Sequence, residues 1–412
     1  MTSARPGRFP LVSRRAAFWA VGMVFFLLIF ANGAPTPLYG IYQARWGFSA
    51  TTLTALFAVY ALALLAALLV LGRLSDYFGR RPVILAGLAL NAAACVLWWL
   101  APGLAALFAA RVLQGLGVGV ATGAIGAWLL DLQPPGSGRA AVLTTAATTM
   151  GLAAGALATS ALVQYGPDPT RLIWWLLLAA FAAGLAAIAV MPEPDRSPHG
   201  WLRSLRPTVH VPPAIRATFT AVLPSVIATW ALTGFYLSLG PTLAAQLLHS
   251  ANLLWGGLAV FLVAGVGSIS GVVAARTPPR AGMVGGCLIL LAGAGLSLAA
   301  ITQSIPWLFL AGTAVAGLGF GAAWTGAYRM LTAAVAPADR AGLVDAIFIA
   351  AYLALSLPAV IAGLASQHYG LRDTALVYNA VIAALVAAAA AMTGLRRQPA
   401  RSTRPRTSAT RS

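Results

Sequence analysis

The chain has 412 residues, of which 60% are hydrophobic and only 8% are charged. Soluble proteins carry about 25% charged residues, so this composition excludes a water-soluble globular protein and predicts a surface that faces hydrocarbon. The net charge of +18 would suit nucleic acid binding, but the placement of the basic residues argues against it.

Apolar runs long enough to cross a membrane, which takes about 20 residues, recur twelve times along the chain. We place them at 16–39, 50–71, 82–101, 105–130, 140–164, 170–191, 217–240, 252–275, 282–302, 305–330, 341–366 and 372–394. They are too long and too continuously apolar for barrel strands, in which apolar and polar residues alternate. The sequence therefore predicts an all-α membrane protein with twelve transmembrane helices.

All 26 basic residues are arginines, and their distribution predicts the orientation of the chain. If the N-terminus is cytoplasmic, 21 of them lie in cytoplasmic segments and only three, Arg45, Arg171 and Arg372, lie in outer loops. This excess follows the positive-inside rule, so we expect both termini in the cytoplasm and no nucleic acid partner. The Arg-only, Ala- and Gly-rich composition favours a GC-rich bacterial genome and hence a bacterial inner membrane.

A polar segment rich in Pro and Arg divides the twelve runs into six and six. We expect a cytoplasmic N-terminal segment at 1–15, a six-helix bundle at 16–191, a cytoplasmic linker at 192–216, a second bundle at 217–394 and a disordered basic tail at 395–412. Three short sequences recur between the halves at nearly constant offset: GLGVG from Gly115 as GLGFG from Gly317, Arg139-Ala140 as Arg340-Ala341, and Tyr165-Gly166 as Tyr369-Gly370. Such repeats predict pseudo-symmetric bundles with a solute site between them.

The loop after the second run reads GRLSDYFGRRPVIL, from Gly72 to Leu85. It resembles the loop signature Gly-x-x-x-Asp-x-x-Gly-Arg-Arg of the major facilitator superfamily. A second pattern of that family, Arg-x-x-Gln-Gly-x-Gly, is matched on the fourth run by Arg111, Gln114, Gly115 and Gly117. The resemblance, closest in architecture to bacterial efflux permeases, covers nearly the whole chain and implies a transporter of two six-helix bundles.

Six residues form the expected gating loop: Gly72, Asp76, Gly79, Arg80, Arg81 and Asp131. The two glycines allow close approach and a tight reversal, and Arg80 or Arg81 could bind the carboxylate of Asp131 through two hydrogen bonds. In the family such a cluster holds the halves together while the outer side is open. Alternatively, these charges only fix the topology. In the second half Ala275 replaces Asp76, so any latch is one-sided.

Arg111 lies about six residues, or roughly 9 Å, inside the fourth run. It either faces the interior of the transporter, as the family pattern implies, or snorkels towards the outer interface. Gly115, Gly119 and Gly123 form a small-residue stripe that predicts close helix packing. On the fifth run Gly151 and Gly155 resemble part of the glycine–proline signature of drug–proton antiporters, but the expected Pro is absent, so that subclass stays open.

Acidic residues are absent from the deep parts of the runs, and only Asp345 lies about one turn inside. Proton coupling would therefore depend on Asp345 or Arg111, and a cationic solute would lack a deep counter-ion. We expect a cavity lined by Asn32, Thr36, Tyr60, Trp230, Thr233, Tyr236, Trp324 and Tyr352. Its aromatic members suit an amphipathic organic solute, although each alone is more often a packing residue or an interface anchor.

The sequence thus predicts a secondary active or facilitative transporter that works by alternating access and exports a neutral or anionic amphipathic compound. Uptake of a nutrient or metabolite, and a non-transporting membrane sensor on the same scaffold, are the alternatives. There is no phosphate-binding Gly-Lys-Ser/Thr loop and no metal-ligand spacing among the histidines or the two cysteines, Cys95 and Cys287. We therefore expect no enzyme activity, cofactor or metal, and a monomer whose partners are the solute, membrane lipid and a coupling proton.

Overall fold

A computed structural model describes residues 13–134, 137–192, 209–336 and 339–394 of the chain. Within these residues twelve helices are long and apolar enough to cross a membrane, and there is no β-strand. We number the spans in chain order: Arg14–Gly33 continued by Leu38–Trp46, Ala50–Leu71, Arg80–Leu100, Leu104–Leu132, Arg139–Tyr165, Leu172–Ala189, Arg216–Ser238 continued by Gly240–Leu247, Leu254–Ala274, Pro279–Gln303, Pro306–Thr332, Arg340–Tyr369 and Leu371–Gly394.

Three of the predicted segments fall largely outside the described residues. These are most of the N-terminal segment at 1–15, the central part of the linker at 192–216 and the whole tail at 395–412. Between the spans, the structure adds a short helix, Ser75–Phe78, in the loop after the second span and a 3₁₀ turn, Pro213–Ile215, before the seventh.

The first and seventh spans are each broken near one end. The predicted end of the first span at 39 is too early, whereas the end predicted at 240 for the seventh agrees with its break after Ser238. In the first span Pro35 and Pro37 interrupt the helix, which resumes as Leu38–Trp46. In the seventh span Pro241 occupies the first turn of the continuation Gly240–Leu247. Proline cannot donate the hydrogen bond that continues a helix but is well suited to starting one, so both runs bend and continue.

The spans begin and end on two faces of the molecule. We call the face at which the first span begins, at Arg14, and the twelfth ends, at Gly394, the terminal face. The opposite face, which carries Trp46 and Tyr369, is called the distal face.

The twelve spans form two six-helix bundles, each with its own hydrophobic core. The bundles meet where the second span packs against the eleventh and the fifth packs against the eighth. Three hydrogen bonds join them at the distal face: Leu253 N donates to Gln164 Oε1 (3.1 Å), Asn252 Nδ2 donates to the Tyr165 hydroxyl (3.3 Å), and Gln367 Nε2 donates to Thr51 Oγ1. The halves are therefore held together at this face.

Glycine residues make equivalent helix–helix contacts in the two halves. Gly33 of the first span lies directly against the carbonyl of Leu152 on the fifth, and Gly234 of the seventh lies in the same way against Leu355 on the eleventh. The stripe on the fourth span, Gly115, Gly119 and Gly123, packs against backbone carbonyls of the second span and its end: those of Tyr60, Leu64 and Gly72. A Cβ atom at these positions would collide with backbone, which confirms that the stripe serves helix packing.

Candidate functional site

The loop after the second span gathers its charged residues around Arg80. Arg80 Nε lies 2.8 Å from Asp131 Oδ2 at the end of the fourth span, and Arg80 Nη1 lies 3.7 Å from Asp76 Oδ1. Gly79 between them has φ 94°, a conformation that favours glycine. The side chains of Asp76 and Asp131 are 61% and 47% exposed, so these two ion pairs are solvent-accessible contacts within the first half.

Arg81 makes a different contact, which the second half repeats. Its Nη1 donates to the carbonyl of Met191, just beyond the end of the sixth span (3.3 Å). Arg280, which follows Ala275 at the spacing by which Arg81 follows Asp76, donates through Nη2 to Thr393 O (2.8 Å) and Gly394 O (3.0 Å) at the end of the twelfth span. The third and ninth spans thus each carry an arginine that binds the last carbonyls of a neighbouring helix.

Arg111 is buried in the first half, with only 1% of its surface exposed. No carboxylate of the described residues lies within 4 Å of its guanidinium. Its Nη1 donates to Gln114 Oε1 (3.2 Å) and its Nε to Leu56 O (3.5 Å). The guanidinium carbon lies 4.4 Å from the ring centre of Tyr60, with the rings of Phe57 and Tyr39 at 5.8 and 5.9 Å. Aromatic faces and polar oxygens therefore replace a counter-ion.

Gln114 connects this cation to the break in the first span. Its Nε2 donates to the carbonyl of Ala31 (3.1 Å), and its Oε1 accepts from Trp98 Nε1 (3.2 Å) as well as from Arg111. In a continuous helix the Ala31 carbonyl would accept from residue 35, but Pro35 has no N–H. Carbonyls freed at such a break can face a cavity, whereas this one accepts from Gln114.

Five aromatic side chains of the second half form a closed ring near the junction with the first half. The ring runs from Trp230 through Trp324, Tyr328, Phe348 and Tyr352 and back to Trp230. In that order, the distances between the centres of successive side-chain rings are 5.1, 5.7, 6.5, 6.1 and 5.0 Å. All five are half-buried, and Trp230 and Tyr352 also pack against the hydrophobic cluster centred on the first half, to which Leu237, Val260 and Leu355 of the second half belong as well. The Trp230 Nε1 is buried and has no hydrogen-bond partner in the described part of the chain.

Tyr60 lies between this aromatic ring and Arg111. Its own ring faces the guanidinium of Arg111, and its span packs against the eleventh span, which carries Tyr352. The structure thus brings together four of the eight predicted cavity residues: Tyr60, Trp230, Trp324 and Tyr352.

Of the other four predicted cavity residues, three form side-chain hydrogen bonds within their own half. Asn32 Nδ2 donates to Leu28 O (2.6 Å), Thr233 Oγ1 donates to Thr229 O (3.0 Å), and the Tyr236 hydroxyl lies 2.9 Å from Thr313 Oγ1. Thr36 is buried beside the break of the first span. A role of these residues in solute binding stays a prediction.

Sequence reasoning missed Tyr328 and Phe348. The signal for them is their spacing, because Trp324 and Tyr328, and likewise Phe348 and Tyr352, are four residues apart and therefore share one face of a helix. Asp345, the predicted coupling acid, is half-buried one turn before Phe348 on the eleventh span.

Comparison with known proteins agrees with this architecture. Residues 21–296, more than half of the chain, match the model of the Major Facilitator Superfamily. The chain belongs to this superfamily.

Several relatives show how far the likeness extends. An uncharacterized transporter of Rickettsia bellii (strain RML369-C) is 43% identical over 63 residues, which cover 15% of this chain and 16% of that relative. The crystal structure of a bacterial homolog to the human lysosomal transporter Spinster, in an inward-facing and unoccupied conformation, covers 92% of this chain and 97% of its own, with TM-score 0.72 and 14% identity. A mutant of the nucleoside transporter NupG covers 91% and 99%, with TM-score 0.70 and 14% identity.

For a major facilitator transporter, the position of this candidate site matters. Solute sites of such repeat-built carriers lie near the midplane, between the two halves. Trp230 and Tyr352 lie near the middle of the seventh and eleventh spans, and the eleventh span packs against the second span of the first half. The aromatic ring can supply stacking area and one indole donor, and Arg111 can supply positive potential behind Tyr60.

Proposed function

We propose that this chain is a secondary carrier that exports a neutral or anionic amphipathic organic solute by alternating access. The observation that supports this best is the ring of five aromatic side chains on the second half, with the Tyr60–Arg111 pair beside it. Aromatic walls with few polar groups are typical of sites for organic molecules. A cationic solute is disfavoured because the nearest buried charge is positive.

The chemistry of the site defines how the solute is held. The apolar body of the solute stacks among Trp230, Trp324 and Tyr352, and an acceptor oxygen of the solute binds the unpartnered Trp230 Nε1. An anionic group is further stabilised by the field of Arg111, which a low-dielectric interior screens weakly. Asp345, on the helix of Phe348 and Tyr352, is the proposed group for proton coupling.

The proposed location is a bacterial inner membrane, with the terminal face in the cytoplasm. The support is the excess of arginine in the segments of that face. A membrane-impermeant maleimide should label Ser250→Cys on the distal face in intact cells and should label Ser137→Cys only after permeabilisation. The reverse pattern would refute this orientation.

Transport and its direction are tested together by mass spectrometry of metabolites inside and outside cells that express the chain. The comparison uses Trp230→Ala, which opens the aromatic ring, and Trp307→Ala, which removes an exposed tryptophan that lies outside the ring. We expect at least one aromatic or amphipathic compound to accumulate outside with the wild type and Trp307→Ala, and not with Trp230→Ala.

Other outcomes discriminate between the candidate functions. Accumulation of the compound inside the cells would establish uptake instead of export. Identical profiles for all variants at equal membrane levels would refute transport and favour the sensor. If transport is observed, Arg111→Ala tests whether the transport of anionic solutes depends on the buried cation more strongly than the transport of neutral solutes.

A further inference from the structure

A groove of about 570 Å³ opens on the surface of the second half, away from the first half. It is formed by the seventh, eleventh and twelfth spans. Its walls carry apolar side chains that are strongly exposed: Ile361 (66%), Val377 (65%) and Val381 (53%). These side chains project from membrane-spanning helices, so the groove opens into hydrocarbon and must be filled by something that the membrane supplies.

The hydroxyl group on the floor of the groove has a hydrogen-bond partner within the protein. The hydroxyl of Tyr378 donates to the carbonyl of Ala231 on the seventh span (2.8 Å). Pro358 lines the groove where the eleventh span lacks one backbone N–H. An apolar floor of this kind favours an aliphatic chain over a polar solute.

Apart from Tyr378, the polar residues that line the groove lie at its distal end. Tyr369 is the last residue of the eleventh span, and Asp373 lies in the first turn of the twelfth. Along the twelfth span the lining runs from Asp373 to Leu385, which is about 18 Å at 1.5 Å per residue. One leaflet of a bilayer has about 15 Å of hydrocarbon. The groove therefore has the length and polarity of a lipid molecule.

The charge at the distal end is negative. Asp373 makes no ion pair with the described residues. Its neighbour Arg372 is held on the ninth span, where it donates through Nε to Ile301 O (3.2 Å) and through Nη2 to Thr302 O (2.8 Å). A carboxylate at this level favours a headgroup with N–H donors and repels an anionic headgroup.

We propose that this groove binds one phospholipid of the leaflet at the distal face, with an acyl chain between the eleventh and twelfth spans. Its headgroup is a primary ammonium, as in phosphatidylethanolamine, bound to Asp373. The groove includes Ala231, which is adjacent to Trp230. The lipid therefore contacts the helix that carries part of the aromatic ring.

The test is a lipid competition read by native mass spectrometry. Delipidated full-length protein is mixed with equal amounts of phosphatidylethanolamine and phosphatidylglycerol that carry identical acyl chains. We expect one phosphatidylethanolamine to be retained with a preference of about fivefold or more, which corresponds to about 1 kcal/mol. Asp373→Asn should abolish the preference, and Asp168→Asn, another acid at the distal face, should leave it intact.

A second pair of variants tests the apolar part of the groove. Ala365→Trp places a large side chain in the groove and should reduce the retained lipid by about fivefold or more. Leu176→Trp, at a lipid-exposed position of the first half, is its control. If Ala365→Trp does not elute as a single helical species, Val381→Trp replaces it.

The proposal is overturned by any of four results. These are equal retention of the two lipids by the wild type, an unchanged preference in Asp373→Asn, unchanged lipid retention in the groove-filling variant, or release of a small organic solute in place of a lipid.

Discussion

Arg111 carries a full charge into the first half, where insertion of an arginine costs about 2.5–3.5 kcal/mol. The structure offsets this cost without a carboxylate. A desolvated cation–π contact is worth about 2 kcal/mol, and the ring of Tyr60 provides one at 4.4 Å. Gln114 and the carbonyl of Leu56 accept the hydrogen bonds. Arg111 is therefore enclosed in the first half and does not reach the outer interface, as a snorkelling side chain would.

Gln114 is the residue on which this arrangement depends most. Gln114→Leu would leave Arg111 Nη1, Trp98 Nε1 and the Ala31 carbonyl without this partner. Hydrogen bonds inside membrane proteins average about 0.6 kcal/mol, and a buried unpaired group costs about 1–3 kcal/mol. We expect a loss of about 2–5 kcal/mol in stability, measured as a lower melting temperature in detergent. Gln303→Leu, at an exposed helix end, is the control, and equal melting of the two variants would contradict the assignment.

At the scale of helices, arginines bind the ends of their neighbours. Five of them donate to backbone carbonyls at or near the C-terminal end of another span: Arg14, Arg81, Arg280, Arg329 and Arg372. The last carbonyls of a helix have no partner within it and carry the negative end of its dipole. The guanidinium can bind two of them at once. These arginines therefore join neighbouring spans together.

Arg280 provides the clearest test of this role because it binds two carbonyls of the twelfth span. Arg280→Ala should lower the stability by about 1–2 kcal/mol. Arg280→Lys keeps the charge but lacks the planar guanidinium that binds two carbonyls, so its stability should lie between those of the wild type and Arg280→Ala. Thermal melting in detergent measures the change. Arg276→Ala removes an exposed positive charge from the same face and should have little effect. If the two alanine variants melt alike, the arginine acts only through its charge.

At the scale of the whole molecule, the halves are closed at the distal face. Close contacts add to the three hydrogen bonds there: Gly257 lies against Ser160 of the fifth span, and Gly363 lies against Thr54 and the carbonyl of Ala50. A side chain at either glycine would not fit while the faces touch. Alternating access requires these contacts to separate when the distal side opens.

Gly363→Val should therefore shift the population towards a state open at the distal face. Spin labels on Arg45→Cys and Tyr369→Cys, one exposed position on each half, report the distance between the halves. We expect a longer distance to dominate, since the introduced valine side chain would collide with the Thr54 side chain and lie tightly against the carbonyl of Ala50 on the second span. Gly103→Val, where a Cβ meets nothing within 4 Å, should leave the distribution of the wild type. If neither variant changes the distance distribution, the contact at Gly363 accommodates the valine without opening of the distal face.

Much of this protein follows from its sequence, because hydropathy and spacing are local properties. Apolar runs of membrane length determine twelve spans, and the repeated glycine motif determines close helix packing. The pairing of Arg80 with Asp131 could be predicted as well, since both residues lie at one end of adjacent spans. The run predicted at 16–39 did not indicate that the first span continues to Trp46.

Only the tertiary structure decided which distant residues meet. The partner of the Ala31 carbonyl is 83 positions away in the chain, and no local pattern identifies Gln114 for that role. Tyr236 could line a cavity by its position but bonds to Thr313, and Tyr328 completes a ring whose members come from three spans. The groove beside Asp373 likewise exists only where three helices leave a gap. Hydropathy determines that helices form and cross the membrane, whereas the site depends on how their faces turn towards one another.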